Sequence, residues 1–278
     1  MDYESKKRRL SEQLRQATDG VRLEKSTSNL FRNRKRDQGS RLDVRSLSDV
    51  LAVDPEAETV EVEGMTTYET LTDACLAKGS MPFVVPQLKS ITIGGAVSGV
   101  GIESSSFRCG LPHESVLSLE VLLANGDVVT ATPDNEHADL FFGIPNSYGT
   151  LGYVLKLTAR TMKVKPYVAL KHRKFSDADA YFEALGDACR SDADFVDGTV
   201  FSGNELYITE GRFVDEAPYS SDYTWLRIYY RSMRERTEDY LTIRDYIWRW
   251  DTDWFWCSKN LYVQNRPMRL LLGRRRLN

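Results

Sequence analysis

Polar and apolar positions along this chain change period several times, and the changes mark its elements. The charged first twenty residues suit a helix ending near Gly20, followed by a short strand at Val21–Glu24. Two strand-like runs come next, over 49–53 and 59–63. Thr66 and Glu69 are spaced as a capping box for a helix running to Lys78. That helix puts Tyr68, Leu71 and Cys75 on one face, with Gly79 as its stop. Val116–Ala124 and Val128–Ala131 are apolar and β-rich around Asn125-Gly126, a dipeptide that suits a type I′ hairpin turn. Thr132 followed by Pro133 reads as a helix start over Thr132–Asp139. A strand then follows the turn glycines Gly149 and Gly152 as far as Lys165, where Pro166 ends it.

Beyond Pro166 the character changes. A strand at 167–174 precedes a helix over Ser176–Cys189, with Ala178, Tyr181, Phe182, Leu185 and Cys189 on one face. Runs at 198–202 and 205–213 form an antiparallel hairpin around Gly203-Asn204. From Asp222 onward, tryptophans and tyrosines mix with arginines. Burial in a core is the default for such large rings; the wall of an apolar cavity or a contact surface are the other readings. The order is mixed α+β and lacks the regular βαβ alternation of a doubly wound sheet. A domain boundary is placed near Pro166.

Between these regions stands TIGGAVSGVGIESSS, Thr92 to Ser106, with four glycines and four serines in fifteen residues. Glycine is costly to order, so a stretch this rich in it suggests close approach to the backbone. The dinucleotide fingerprint G-x-G-x-x-G is absent: Gly99-Val-Gly101 leads into Ile102, Glu103 and Ser104, and no amphipathic helix is expected there. The Walker A lysine is missing as well. Two readings stay open on spacing alone. One is an anion-binding concavity of backbone N–H groups, with Thr92, Ser104 and Ser105 adding hydroxyls. The other is a tight turn or bulge packed against a strand.

The stretch PQLKSITIGGAVSGVGIESSS, the run LEVLLANGDVV and the return DLFFGIPNSYGTLGYV occur in order. Together they resemble the FAD-binding domain of the vanillyl-alcohol oxidase / p-cresol methylhydroxylase type, and within it the sterol reductase branch. The resemblance implies an α+β chain with a two-subdomain FAD-binding domain followed by part of an α+β substrate domain. The expected limits are 1–19 for an N-terminal helix, 20–165 for the FAD-binding domain (subdomains 20–85 and 86–165), and 166–278 for the substrate domain, whose relatives continue further. The segment carrying Thr92, Ile93, Gly94, Gly95, Gly99, Gly101, Ile102, Glu103 and Ser104, with Ser105 beside it, then matches the flavin diphosphate segment. Ser26, Thr27, Ser28 and Asn29 fall in the first flavin loop. Gly149, Thr150 and Gly152 match the segment near the isoalloxazine, and Val154 a backbone contact on the adenine side. Many members carry a histidine in the first loop that bonds the flavin covalently; KSTSNLF has none, so non-covalent FAD is expected.

In such a protein the flavin carries the redox step and the chain supplies position and electrostatics. Reduction of an alkene needs a hydride and a proton, and Glu103, His113 and Tyr148 are the candidate proton donors. Each has a structural alternative: an amide-binding carboxylate, a packed imidazole and a packed ring. The resemblance implies an oxidoreductase acting on the C=C bond of a sterol-like or other apolar small molecule, with NADPH as electron donor. FAD-dependent oxidation of an alcohol or hydroxy acid, or a truncated flavin-binding module without activity, are the alternatives.

Composition narrows the remaining classes. The 278 residues carry a net charge of −3, but residues 1–41 and 223–278 each hold 12 basic against 6 acidic side chains. The middle holds 13 against 28. Dispersed charge of this kind lacks a nucleic-acid footprint, so no nucleic-acid partner is expected. The basic ends leave peripheral contact with an anionic membrane open. No apolar run reaches the ~18 residues of a spanning helix, and MDYESKKRRL lacks the apolar core of a secretory signal. Four scattered cysteines and three separated histidines give no metal spacing, and the cytoplasm is the expected location.

Overall fold

The computed structural model describes residues 1–18, 20–26, 39–260 and 262–273, with side chains left aside at 254–257. Two compact units emerge. The first comprises 1–83, 90–101 and 111–162; the second comprises 84–89, 102–110 and 163–278.

In the first unit, helix α1 (Tyr3–Gln16) is capped by Asp2, whose carboxylate accepts from Ser5 N. Strands β1 (Val21–Glu24) and β2 (Ser40–Asp43) pair in parallel. Strands β3 (Val50–Asp54) and β4 (Thr59–Glu63) form a hairpin, and helix α2 (Tyr68–Leu76) follows. Then come β5 (Ser80–Pro82), α3 (Ile93–Gly99), β6 (Val116–Leu122), β7 (Val128–Ala131), α4 (Ala138–Gly143) and β8 (Tyr153–Lys163). The sheet order is β3-β4-β8-β6-β7, with β5 pairing β8. Leu10, Leu42, Val44, Leu47, Met65, Leu122 and Leu155 form a core that α1 closes. Beside it Lys6 is buried, with Nζ 2.9 Å from Glu63 and 2.6 Å from Asp49.

Local expectations shift at several points. The cap of α2 is Thr67, which accepts from Thr70 N, because Thr66 turns inward to donate to the Asp49 carbonyl. Gly79, at φ 72°, marks the stop as expected, but the helix itself ends at Leu76. The β6–β7 turn is not type I′. Asn125 keeps a negative φ, only Gly126 is left-handed (φ 85°), and Gly126 N donates to Leu123 O. That is a type I turn closed by a glycine bulge. Asn135 Oδ1 accepts from Thr132 N and His137 N, so a polar turn occupies the segment at Pro133 and α4 starts at Ala138. The largest correction is α3: the glycine-rich stretch contains a helix where none was expected.

In the second unit, β9 (Tyr167–Phe175), α5 (Ala178–Arg190), β10 (Phe195–Ser202), β11 (Glu205–Val214) and β12 (Glu238–Thr242) build a four-stranded antiparallel sheet, ordered β10-β11-β9-β12, with one helix. Tyr181 and Ala188 of α5 pack on Leu206 and Ile208 on one face; Phe182 and Cys189, expected on that face, are exposed. Aromatic side chains cover the opposite face. Phe195 meets Tyr246 at 4.5 Å between centroids, and Tyr229 meets Trp250 at 5.0 Å and Tyr223 at 5.4 Å. Tyr246 belongs to α6 (Ile243–Ile247), and α7 (Arg266–Leu272) is the last described helix. Burial is therefore the role of most of these rings.

Candidate functional site

Helix α3 exists because its backbone has partners outside itself. Thr92 caps it by accepting from Gly95 N at 3.3 Å. Ile93 N donates to Thr66 O and Gly94 N to Gly64 O, each at 3.0 Å. A Cβ at Gly94 would lie 2.7 Å from the Gly64 carbonyl oxygen, and one at Gly64 would lie 2.1 Å from that of Val154. Three backbones are thus stacked with no room for side chains, and Ile93 and Val154 are buried beside them. Gly152, at φ 154°, lies equally close to Val121 and Leu122.

The outer side of α3 differs. Gly95 is exposed, and a Cβ there would meet only the Thr92 hydroxyl, at 2.9 Å. At Gly99 it would meet the Tyr148 ring at 3.8 Å, and at Gly101 the Pro112 ring at 4.0 Å, both ordinary contacts. Tyr148 N donates to Ser98 O at 3.1 Å, which docks the NSYGT segment on the end of α3. Asn146, Tyr148 and Gly149 all adopt positive φ (59°, 53° and 83°), a costly backbone for the first two. Gly149, Thr150 and the Tyr148 phenol stand exposed at this junction. His113 lies on the helical turn Pro112–Ser115, with a buried Nδ1 that has no hydrogen-bond partner. The first unit therefore brings together Thr92, Gly95, Gly99, Tyr148, Gly149 and Thr150. Ser26 is exposed, and Thr27, Ser28 and Asn29 lie outside the described residues.

Ile102, Glu103, Ser104 and Ser105 belong to the second unit. Ile102 is exposed and Ser105 buried. Glu103 Oε1 accepts from Gln87 N at 3.2 Å. Burial pushes its pKa up to about 8; Arg249 opposes the rise and Asp197 reinforces it. Ser104 O accepts from Val196 N at 2.8 Å, and its hydroxyl lies 3.0 Å from the Tyr246 hydroxyl. Arg249 lies 3.8 Å over the Tyr246 ring and donates to Asp197 at 2.6 Å. Strand register continues this polar line from Asp197 to Thr209 to His172. Burial lowers the His172 pKa to about 4, so the ring is neutral at neutral pH.

Residues 10–132 match the family model described as FAD binding domain. This part of the chain is an FAD binding domain. Its glycine helix carries two kinds of glycine, Gly94 packed on backbone and Gly95 exposed. The chain is 32% identical over 242 residues to the human delta(24)-sterol reductase, which covers 82% of this chain and 46% of that protein. It is 30% identical to the delta(24)-sterol reductase of Pisum sativum over 66% of this chain and 34% of that one. Cytokinin dehydrogenase 7 of Oryza sativa subsp. japonica is 30% identical over 56% of this chain and 30% of its own. The chain spans about half the length, or less, of these curated relatives.

Sequence reasoning passed over Asp197, Thr209, His172 and Arg249. Nothing local marks the first three: His172 stands between Lys171 and Arg173, Thr209 beside Glu210, and Asp197 between Val196 and Gly198, and only the folded chain buries His172 and Thr209 and half-buries Asp197. Among the described residues no cluster of three or more His, Cys, Asp or Glu is placed to hold a metal, and no helix is long and apolar enough to cross a membrane.

Proposed function

We propose that the chain binds FAD non-covalently and reduces a carbon–carbon double bond of a sterol-like, apolar substrate, with NADPH as electron source. The observation that carries the flavin part is the junction of α3 with the NSYGT segment. There Gly95 and Gly99 leave backbone uncovered by side chains, and Gly149 and Thr150 stand exposed beside them. A diphosphate is an apt ligand for such a surface, because glycine backbone and small hydroxyls let it approach closely. Thr92, Gly95, Gly99 and Gly101 would line the diphosphate, and Gly149 and Thr150 the ring system. Ser26, Thr27, Ser28 and Asn29 would supply the first loop. Ile93, Gly94, Gly152 and Val154 would hold the frame behind them.

Bound FAD supplies the hydride. The second alkene carbon needs a proton, and Glu103 retains one at neutral pH because burial raises its pKa to about 8. His113 and Tyr148 are the other candidates. In this reading residues 20–165 hold the cofactor, in subdomains 20–85 and 86–165, and 166–278 form part of a substrate domain. The substrate class comes from similarity to the delta(24)-sterol reductases. The protein works in the cytoplasm, with peripheral access to a membrane and without a nucleic-acid partner.

The test begins with an absorbance spectrum of purified protein. A flavin band near ~450 nm that leaves the protein on acid precipitation is expected. Anaerobic NADPH should bleach the band, and a sterol with a side-chain double bond should restore it. Colourless protein that takes up no added FAD refutes the flavin reading. Bleaching by an alcohol or hydroxy acid, with no response to the sterol, replaces reduction by oxidation.

A further inference from the structure

One cation and two carboxyls meet beside strand β10. Arg249, just after α6, is 4% exposed. Its Nη2 donates to Asp197 at 2.6 Å and its Nη1 to the Tyr246 carbonyl at 2.7 Å, while the guanidinium lies 3.8 Å from the Tyr246 ring centroid. Glu103 is brought to this pair by its chain neighbour. Ser104 O accepts from Val196 N, next to Asp197, and the Ser104 hydroxyl meets that of Tyr246. The Glu103 carboxyl takes a hydrogen bond from Gln87 N, at 3.2 Å, whereas Asp197 holds the guanidinium directly. A guanidinium does not lose its charge, so the three groups together are neutral only when one carboxyl keeps its proton. The other groups packed here add no charge: burial keeps the Tyr246 and Tyr229 phenols protonated and the His172 ring neutral. Charges on neighbouring segments come as pairs, Arg108 with Asp194 and Arg236 with Asp239, or as Lys89 beside Asp251.

We propose that Asp197 is a positioning residue for Glu103: by occupying Arg249 it denies Glu103 a counter-ion of its own and leaves Glu103 as the acid of this site. The assignment rests on the reading of Glu103 as proton donor. Glu103 is only half-buried, so its carboxyl can be reached. Giving up its proton breaks the carboxyl O–H bond and forms a C–H bond at the alkene carbon that does not take the hydride. The carboxylate left behind lies in the field of Arg249, which steadies it until water returns a proton.

The titration of Glu103 tests this without turnover, through the infrared carbonyl band of its protonated form, identified by its loss in Glu103→Gln. In the parent the band should fade around pH 8. Asp197→Asn frees the guanidinium to pair with Glu103. The midpoint should then fall by about one pH unit or more, a roughly tenfold lower ratio of protonated to ionised carboxyl at a given pH. If that variant does not fold, Arg249→Gln is read instead, and the midpoint should rise because the cation opposing burial is gone. In the FAD-loaded protein, Asp197→Asn should move the falling limb of sterol-dependent flavin reoxidation to lower pH by the same amount. A Glu103 titration that stays put or moves the other way overturns the assignment, and so does a shifted titration with an unshifted pH profile. Failure of the flavin reading looks different: the protein takes up no FAD, while the Glu103 titration still responds as stated and the charge arrangement stands.

Discussion

Replacing Glu103 by Gln changes one proton and almost nothing in shape, so it isolates the cost of this buried carboxyl. Burial raises the Glu103 pKa from an ordinary 4.5 to about 8, against the pull of Arg249. Between those values the folded protein holds a proton that the unfolded chain has released. The contribution to stability is therefore complete below 4.5 and is lost as pH rises through 8. The slope reaches at most ~1.4 kcal/mol per pH unit, and the whole interval is worth up to about 5 kcal/mol. Partial access of the side chain to water reduces this to roughly 2–3 kcal/mol. Asp253, pushed up to about 6 by its own burial, slopes the same way, but it stays in both proteins and cancels in their difference. Urea unfolding at several values from about pH 5 to about pH 8 measures that difference. Glu103→Gln should lose less stability than the parent across the range, by roughly 2–3 kcal/mol. Parallel curves would refute the argument, because they would mean that the carboxyl is not held protonated by the fold.

The two kinds of glycine in α3 should separate on mutation. Gly95→Leu displaces only the capping Thr92 hydroxyl, so it should cost about 1 kcal/mol in unfolding experiments while abolishing flavin retention, read as the ratio of visible to ultraviolet absorbance. Gly94→Ala sets a methyl 2.7 Å from the Gly64 carbonyl and should destabilise the fold by about 2 kcal/mol or more, seen as a lowered melting temperature. Lys6→Met leaves Glu63 buried without its ammonium partner and should cost ~3–5 kcal/mol by denaturant titration. Adding Glu63→Leu should recover most of that loss, because the uncompensated charge is then gone.

Local chemistry made much of this fold legible. Strand-like, β-rich runs located β3, β4, β6, β7 and β8 to within a few residues, the charged N-terminus located α1, and apolar faces located α2 and α5. Where a polar side chain had a choice of partners, the ends moved. Thr66 turned to Asp49, leaving Thr67 to cap α2, and Asn135 built a turn that delayed α4 to Ala138. The flavin motifs were readable as motifs: the glycine-rich stretch and LEVLLANGDVV lie within the FAD binding domain match over 10–132, while DLFFGIPNSYGTLGYV lies beyond it. Their internal structure was not: glycine is a poor helix former, and IGGAVSG offers no amphipathic period.

By itself, then, the amino-acid order determined element types, the hairpins and the class of cofactor, all properties written in residues close along the chain. Tertiary structure decided what depends on residues far apart. It made a helix of the glycine stretch, because Gly64 and Val154 leave backbone exposed where only glycine can approach. It aligned Asp197, Thr209 and His172 across three strands and buried the last two, with the His172 ring against Tyr229 from later in the chain. It turned α7 so that an arginine faces inward and leucines outward, because Asp253 and three backbone carbonyls together hold that guanidinium more firmly than the leucines resist exposure. Each outcome is a competition between local preference and partners supplied from elsewhere, and only the folded chain contains both sides of it.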